Sequence, residues 1–457
     1  MPTNELNRLY IPLFPGGEYL HKLEDYFIKN NYSVKYIQHE NINTRWETRN
    51  IDEKKVIEEH HNHSPESPLE YYLDKYEIRS PKKFIFPEMV LRGSYNQFPL
   101  DRNKKVNYSP YIKKLHKYLS FFDSLFDSGR GGIPVQYQGG TILRRSLRTI
   151  SNYYGFTNAW IGFSPIPNQV AIYDSEHVNW EFNNNSTDAS KDVANKFLDD
   201  YLNNRISFST YNGAPDPNLF DDLLQKGHRL LQQDAKQLLM SHVNSKRKNM
   251  LQKLKAIVNS QLYLTKKGSN SVIDKKNYVY FPIQYFRESR TTIRGDYYYD
   301  YRWIIEYISR NLPHNYDLVV KNHPNHLGEM RRDVIKNMAN YAHLIHPSID
   351  TKRAVEGSSG VITINNTVGF ESLLLGKPVI TLGDSFYDNF RSVNAIRNIS
   401  SINDQIFDLV CDNGMNKKQI IEMISIIVSS GYTGVWGDTS EENLEDLATS
   451  ILDYIES

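Results

Sequence analysis

The sequence predicts an α/β protein of two Rossmann-like, doubly wound domains joined by a helical link. Three observations carry that expectation. Short apolar runs alternate with helix-period segments in two separate series, at the spacing of parallel strands and crossover helices. A Leu-rich and then Lys-rich helical stretch lies between the series. A length of 457 residues exceeds one ordinary core. The expected bounds are 1–215 for an N-terminal domain with insertions, 216–270 for the helical linker and 271–457 for a C-terminal domain ending in a helix.

In chain order, LYIPLF reads as a strand, Gly16 and Gly17 break it, and the next helix carries Leu20, Leu23 and Phe27 on one face before YSVKYI returns as a strand. Residues 45–115 are polar and read as helices and loops decorating the sheet. The pattern then recovers: GIPVQY as strand, a Gly139-Gly140 break, a basic helix over TILRRSLRTISNYYG, and strands near NAWIGF and QVAIYD. Asp216-Pro217 offers an N-cap with proline in the first helical turn. The second series runs through the strands NYVYFPIQY, DLVVKN, HLIHP, GVITIN and PVITLG, with a helix in each gap. A Thr439 to Glu442 capping box opens the last helix, whose Leu444, Leu447, Ile451 and Ile455 share one side.

Composition excludes several classes. Lys and Arg total 54 against 53 Asp and Glu, a net charge of +1, so nothing marks a nucleic-acid binder. Cys411 is the single cysteine, which rules out an intrachain disulfide framework and a cysteine-based zinc site, and fits a reducing compartment. No basic stretch followed by a long apolar one opens the chain, and no run of eighteen apolar residues occurs. The expected location is the cytoplasm, with the Lys-rich segment 246–255 a candidate for attachment to an anionic membrane surface.

Ligands of doubly wound sheets sit outside the carboxyl ends of the strands, and that rule selects the candidate residues. ITINNTVGFESLLLGKPVITLG places Asn365, Asn366, Thr367 and Gly369 between a strand and a helix N-terminus, where free N–H groups and the helix dipole suit a phosphate. Gly369 would let a ligand approach the first turn, and Glu371 would accept from a ribose diol. LVVKNHPNH puts Lys321 and His323 at the end of a neighbouring strand, with Pro324 forcing His323 into an extended conformation. In YVYFPIQYFRES, Gln284 follows a strand and suits a nucleobase edge or sugar hydroxyl, Arg287 suits a phosphate, and Glu288 lies four positions beyond Gln284.

FPIQ with its following acid, KNHP, and the 362–388 stretch, in this order, resemble the bacterial capsule polysaccharide synthesis family that contains the Kdo transferases. The resemblance covers roughly residues 275 to 390. It implies the two-lobed GT-B fold with a central cleft, and transfer of a sugar from a nucleotide donor, such as CMP-activated Kdo, to a growing surface glycan or lipid-linked glycan. It also implies no cofactor beyond the nucleotide-sugar co-substrate, and contact of His323 and the Asn365–Thr367 loop with donor phosphate, Glu371 facing the ribose. Asn366 stands where a serine is usual, and DSFYDNFRSV lacks the family's glycine- and tryptophan-containing ending, so CMP-, UDP- and GDP-sugars and CDP-linked polyol phosphates all stay open as donors.

The N-terminal domain would then hold the acceptor. Gly16 and Gly17 lie at a strand end, Arg144 and Arg145 suit an acidic glycan, and Asp174, Glu176 and His177 gather the proton acceptors that would serve a transfer reaction. His60, His61 and His63 form a histidine run without acidic partners at ligand spacing, so no metal site is expected. Tyr297 to Tyr301 offer rings for sugar stacking or for helix packing. Two other functions share the architecture: a sugar-nucleotide epimerase, and a non-catalytic subunit that binds nucleotide sugar or glycan.

Overall fold

The computed structural model describes residues 7–13, 20–38, 56–91, 106–137, 139–175, 177, 180–182, 186–206, 208, 259, 261–323 and 330–457. In chain order its strands are β1 (Arg8–Pro12), β2 (Ser33–Ile37), β3 (Val56–Ile57), β4 (Ile133–Tyr137), β5 (Ala159–Phe163), β6 (Gln169–Tyr173) and β7 (Tyr278–Pro282). Then follow β8 (Asp317–Lys321), β9 (His343–Ile345), β10 (Gly360–Thr363), β11 (Val379–Thr381), β12 (Val393–Ala395) and β13 (Tyr432–Thr433). The chain divides into two compact units, one of residues 1–94, 105–190 and 425–457, the other of residues 95–104 and 191–424.

The first unit carries a sheet in the order β13-β6-β5-β4-β1-β2-β3. Strands β1 to β5 pair in parallel, and β6 and β13 extend the β5 edge antiparallel. The polar stretch after β3 is helical where described, with helices Leu69–Lys75, Pro81–Leu91 and Ser109–Leu125. One face of the sheet buries Leu9, Ile11, Val34, Val135 and Ile161 together with Phe27, Leu444, Leu447 and Ile451.

That cluster corrects the expected domain bounds. The terminal helix, Glu441–Glu456, covers the N-terminal sheet and not the C-terminal one. Its apolar stripe was legible, but a stripe does not say which sheet it will cover. The expected capping box is also replaced: the N-cap is Ser440, whose side chain makes no cap hydrogen bond. Asn443 instead ties the incoming loop, accepting from the Val435 N–H at 2.6 Å and donating to the carbonyls of Val435 and Asp438. Most of the expected linker lies outside the described residues, but Lys266–Ile273 is a helix of the second unit.

The second unit carries a fully parallel sheet in the order β12-β11-β10-β7-β8-β9. All five residues of β7 are buried, as a central strand with both faces covered requires. The chain runs from β7 outward through β8 and β9, then returns to the other side of β7 for β10, β11 and β12. The reversal places the topological switch point between β7 and β10. Among the described residues, no helix is long and apolar enough to cross a membrane.

Candidate functional site

The switch point brings three of the expected segments together. Tyr280 pairs with Val361 across β7 and β10, and Pro282 with Lys321 across β7 and β8. Gln284 and His323 each follow two residues after the Pro282–Lys321 pair, and Asn365 lies in the bend that follows β10, so all three lie just past the carboxyl ends of neighbouring strands. The Ile283 N–H still donates to the Lys321 carbonyl at 2.9 Å, so the ladder holds beyond the strand end.

Gln284 is 3% exposed, and neither end of its amide has a hydrogen-bond partner. Its amide lies beside the Glu288 carboxyl and favours its ionised form, although neither amide atom reaches full hydrogen-bond geometry. Its backbone is fixed instead, because buried Tyr301 donates to the Gln284 carbonyl at 2.8 Å. Asn365, 4% exposed, donates through Nδ2 to the Arg290 carbonyl at 2.9 Å and leaves Oδ1 buried and unpartnered. Buried polar atoms are almost always satisfied, so unpartnered amide atoms on Gln284 and Asn365, just past the ends of the two strands that flank the switch point, make that end of the sheet the candidate ligand site.

Asn366 caps the helix Thr367–Leu374, its Oδ1 accepting from the Val368 N–H at 3.1 Å and from the Thr367 hydroxyl at 3.3 Å. The side chain of Asn366 therefore serves the fold, and what the loop offers a ligand is the helix N-terminus. Tyr387 donates to the Asn366 carbonyl and fills the space over Gly369, where a Cβ would collide with the tyrosine hydroxyl. The missing side chain of Gly369 thus admits Tyr387. Gly376, at φ +70°, ends this helix.

Burial sets the electrostatics. Lys321 donates to the Thr351 hydroxyl at 2.8 Å, and desolvation pushes its ammonium down to about 8. His323 lies against the Tyr285 ring, centroids 5.5 Å apart; desolvation and then the Lys321 charge push it down to about 4, so it is neutral at pH 7. Glu371 is pushed up to about 7 by desolvation, against the stabilising hydroxyl of Tyr201 and the charge of Lys321. Tyr201 donates to Glu371 Oε2 at 3.2 Å. Arg287 packs its guanidinium over the Phe286 ring, 5.2 Å from the centroid.

Tyr201 and Tyr387 are the residues that sequence reasoning missed. Tyr201 lies far upstream, inside the range expected for the other domain, and nothing local marks it. The Phe-Tyr pair at 386–387 was visible, but its role as a brace needed the fold.

In the first unit the expected residues are dispersed. Arg144 and Arg145 are both buried. Arg145 donates to the Phe84 carbonyl and stacks on the Phe84 ring at 4.2 Å, and burial lowers Arg144 to about 10. Buried Glu88 accepts from the Ile142 N–H at the start of their helix and from Lys114, each at 2.7 Å. Asp174 and His177 are exposed after β6, with the Ser175 hydroxyl donating to the His177 carbonyl. Gly16, Gly17, Glu176 and Pro324 lie outside the described residues. His60 packs on Tyr118 and Phe121, while His63 bonds Ser120 at 2.9 Å. Among the described residues no three metal-binding side chains come together. Tyr297 stays exposed, and Tyr298 stacks on Trp303.

Residues 201–391 match the family model described as capsule polysaccharide biosynthesis protein. Protein FixF of Sinorhizobium fredii is 32% identical over 121 residues, 24% of this chain and 27% of that protein, so the match spans about a quarter of the relative. Among solved structures, a Thermosulfurimonas dismutans KpsC, titled a beta Kdo 2,7 transferase, is 12% identical over 73% of this chain and 88% of its own, with a TM-score of 0.32. A putative UDP-N-acetylglucosamine 2-epimerase from Listeria monocytogenes is 11% identical over 92% and 90%, TM-score 0.28. The S. aureus MnaA–UDP structure is 11% identical over 92% and 91%, with the same score. At such identities and scores, none of the three structures says what this chain binds.

Proposed function

We propose, from the match of residues 201–391 to the capsule polysaccharide biosynthesis family model, that the protein is a glycosyltransferase of GT-B type acting in surface polysaccharide synthesis. It moves a sugar from a nucleotide donor, with a CMP-activated acidic sugar such as Kdo the first to test, onto a glycan or lipid-linked glycan. One observation carries the reading: Gln284 and Asn365, with their orphaned buried amide atoms, and His323 all follow the carboxyl ends of the strands around the switch point.

In this reading the second unit holds the donor. Gln284 and Asn365 Oδ1 bond the nucleoside or sugar hydroxyls, and Lys321 and the N-terminus of Thr367–Leu374 face phosphate. Transfer breaks the bond between the anomeric carbon and the phosphate oxygen, and the acceptor hydroxyl oxygen bonds that carbon. The acceptor proton passes to a base, for which Asp174, Glu176 and His177 are the candidates. Negative charge grows on the departing phosphate, and His323, neutral at pH 7, donates a hydrogen bond to it. The nucleotide sugar is a co-substrate, and the reaction as proposed uses no further cofactor or metal. A lipid-linked acceptor would bring the protein to the inner face of the membrane.

The test supplies CMP-Kdo, UDP- and GDP-sugars, each with and without a capsule-derived oligosaccharide. The expected result is lengthening of the oligosaccharide by one of them, with the rate at saturating donor falling at least ~100-fold in His323→Ala. Conversion of the free nucleotide sugar without acceptor would make the protein an epimerase. Nucleotide binding without turnover under any acceptor would make it a binding subunit.

A further inference from the structure

Glu371 sits on the second turn of the helix whose N-terminus forms the site, yet one of its two oxygens is already committed. The Tyr201 hydroxyl donates to Oε2 at 3.2 Å. Tyr201 is held firmly in that position. It is 3% exposed, its ring packs on Phe208, which in turn meets Phe370 of the Glu371 helix, and Lys352 caps the end of its own helix. Lys352 Nζ donates to the carbonyl of Leu202 at 2.7 Å and to Asn204 Oδ1 at 2.9 Å. Cations at a helix C-terminus stabilise it, so the segment bearing Tyr201 is fastened on the second unit's own residues.

The charged and titratable groups around Glu371 come from four elements. Tyr201 approaches from the helix Asp188–Leu202, Lys321 from the end of β8, Asp350 from the start of Thr351–Glu356, and Tyr280 from β7. Lys321 and Tyr201 favour the ionised carboxyl, and Asp350 and burial oppose it. Only Tyr201 makes a hydrogen bond to it among the described residues, which leaves Oε1 as the oxygen available to a ligand.

We propose that Tyr201 is a positioning residue: its hydroxyl fixes the rotamer of Glu371, so that Oε1 accepts from a vicinal diol of the bound nucleotide. The proposal rests on the nucleotide reading of the site. Removing the hydroxyl favours the protonated acid, which accepts from a diol more weakly.

The experiment follows two signals in the full chain. The first is the carboxyl titration of Glu371 by 13C NMR of glutamate-labelled protein, assigned by loss of the signal in Glu371→Gln, in wild type and Tyr201→Phe. The second is the Kd of CMP and UDP between pH 5.5 and 8.5 in the same three proteins. The expected result is a Glu371 midpoint moved upward by about one pH unit in Tyr201→Phe. The fall in affinity on acidification should move with it, while Glu371→Gln binds weakly and loses that part of the pH dependence. An unmoved carboxyl midpoint overturns the proposal, whether or not thermal stability falls. A moved midpoint with no nucleotide bound by any of the three proteins would keep the coupling of Tyr201 to Glu371 and remove the nucleotide reading.

Discussion

Gln284 is expensive to the fold as it stands, since both ends of its buried amide have given up water without gaining a partner. Gln284→Met keeps the volume and removes the orphaned atoms. Its melting temperature is therefore expected to equal or exceed that of the wild type, while nucleotide affinity falls at least ~10-fold, because bonds made only with ligand are lost. A fall in both, measured by calorimetry and titration, would show that the amide serves the fold. His60 gives a second expectation at this scale. It is fully buried, and desolvation pushes it down to about 3, whereas in the unfolded chain it titrates near 6.5. The unfolded chain thus takes up the proton first on acidification. The stability that the neutral ring contributes is complete above 6.5 and is lost as pH falls toward 3. His60→Phe should narrow the drop in melting temperature of the first unit between pH 7 and pH 4. The strand-to-helix loop was legible, but Asn366 was read as a phosphate contact and the structure uses its side chain as the helix cap. Residue roles were hidden where a partner comes from afar, as with Tyr201 on Glu371 or the Arg290 carbonyl on Asn365.

The helix Thr367–Leu374 is positioned by its neighbours more than by its own propensity. Gly369 lets Tyr387 lie across its first turn and reach the Asn366 carbonyl. Gly369→Ala would push that ring away and free the loop, costing about 1–3 kcal/mol. Thermal unfolding should record the loss, and Tyr387→Phe should show a smaller one, having lost the hydrogen bond and kept the ring. The strand–helix alternation was readable because period-two and period-3.6 patterns differ even in short runs, and every strand expected in the second series is present. The two-residue strand β13 was not readable, since it is too short to carry a period. Nor was the Ser440 start of the last helix, because Thr439 and Glu442 have capping-box spacing while Asn443 does the tying.

At the scale of the molecule, the first unit is closed by the end of the chain. Leu444, Leu447, Ala448, Ile451 and Leu452 belong to the same apolar cluster as β1, β2, β4 and β5. Leu447→Ala should cost about 2–5 kcal/mol, read in the melting of the first unit. Deleting 431–457 should leave that unit exposed to proteolysis while the second still melts cooperatively. The two sheets were legible in sequence, because strand patterns and turn chemistry are local. The closure was not, because it joins residues more than four hundred positions apart, such as Tyr32 and Glu456. The central claim is that the switch point of the second unit binds a nucleotide, and titration calorimetry of CMP, CDP, UDP and GDP against wild type, Gln284→Met and His323→Ala tests it directly. At least one nucleotide is expected to bind the wild type and to bind both variants at least ~10-fold more weakly, with their melting intact. Equal affinity in all three proteins, or no binding to the wild type at millimolar ligand, would contradict it.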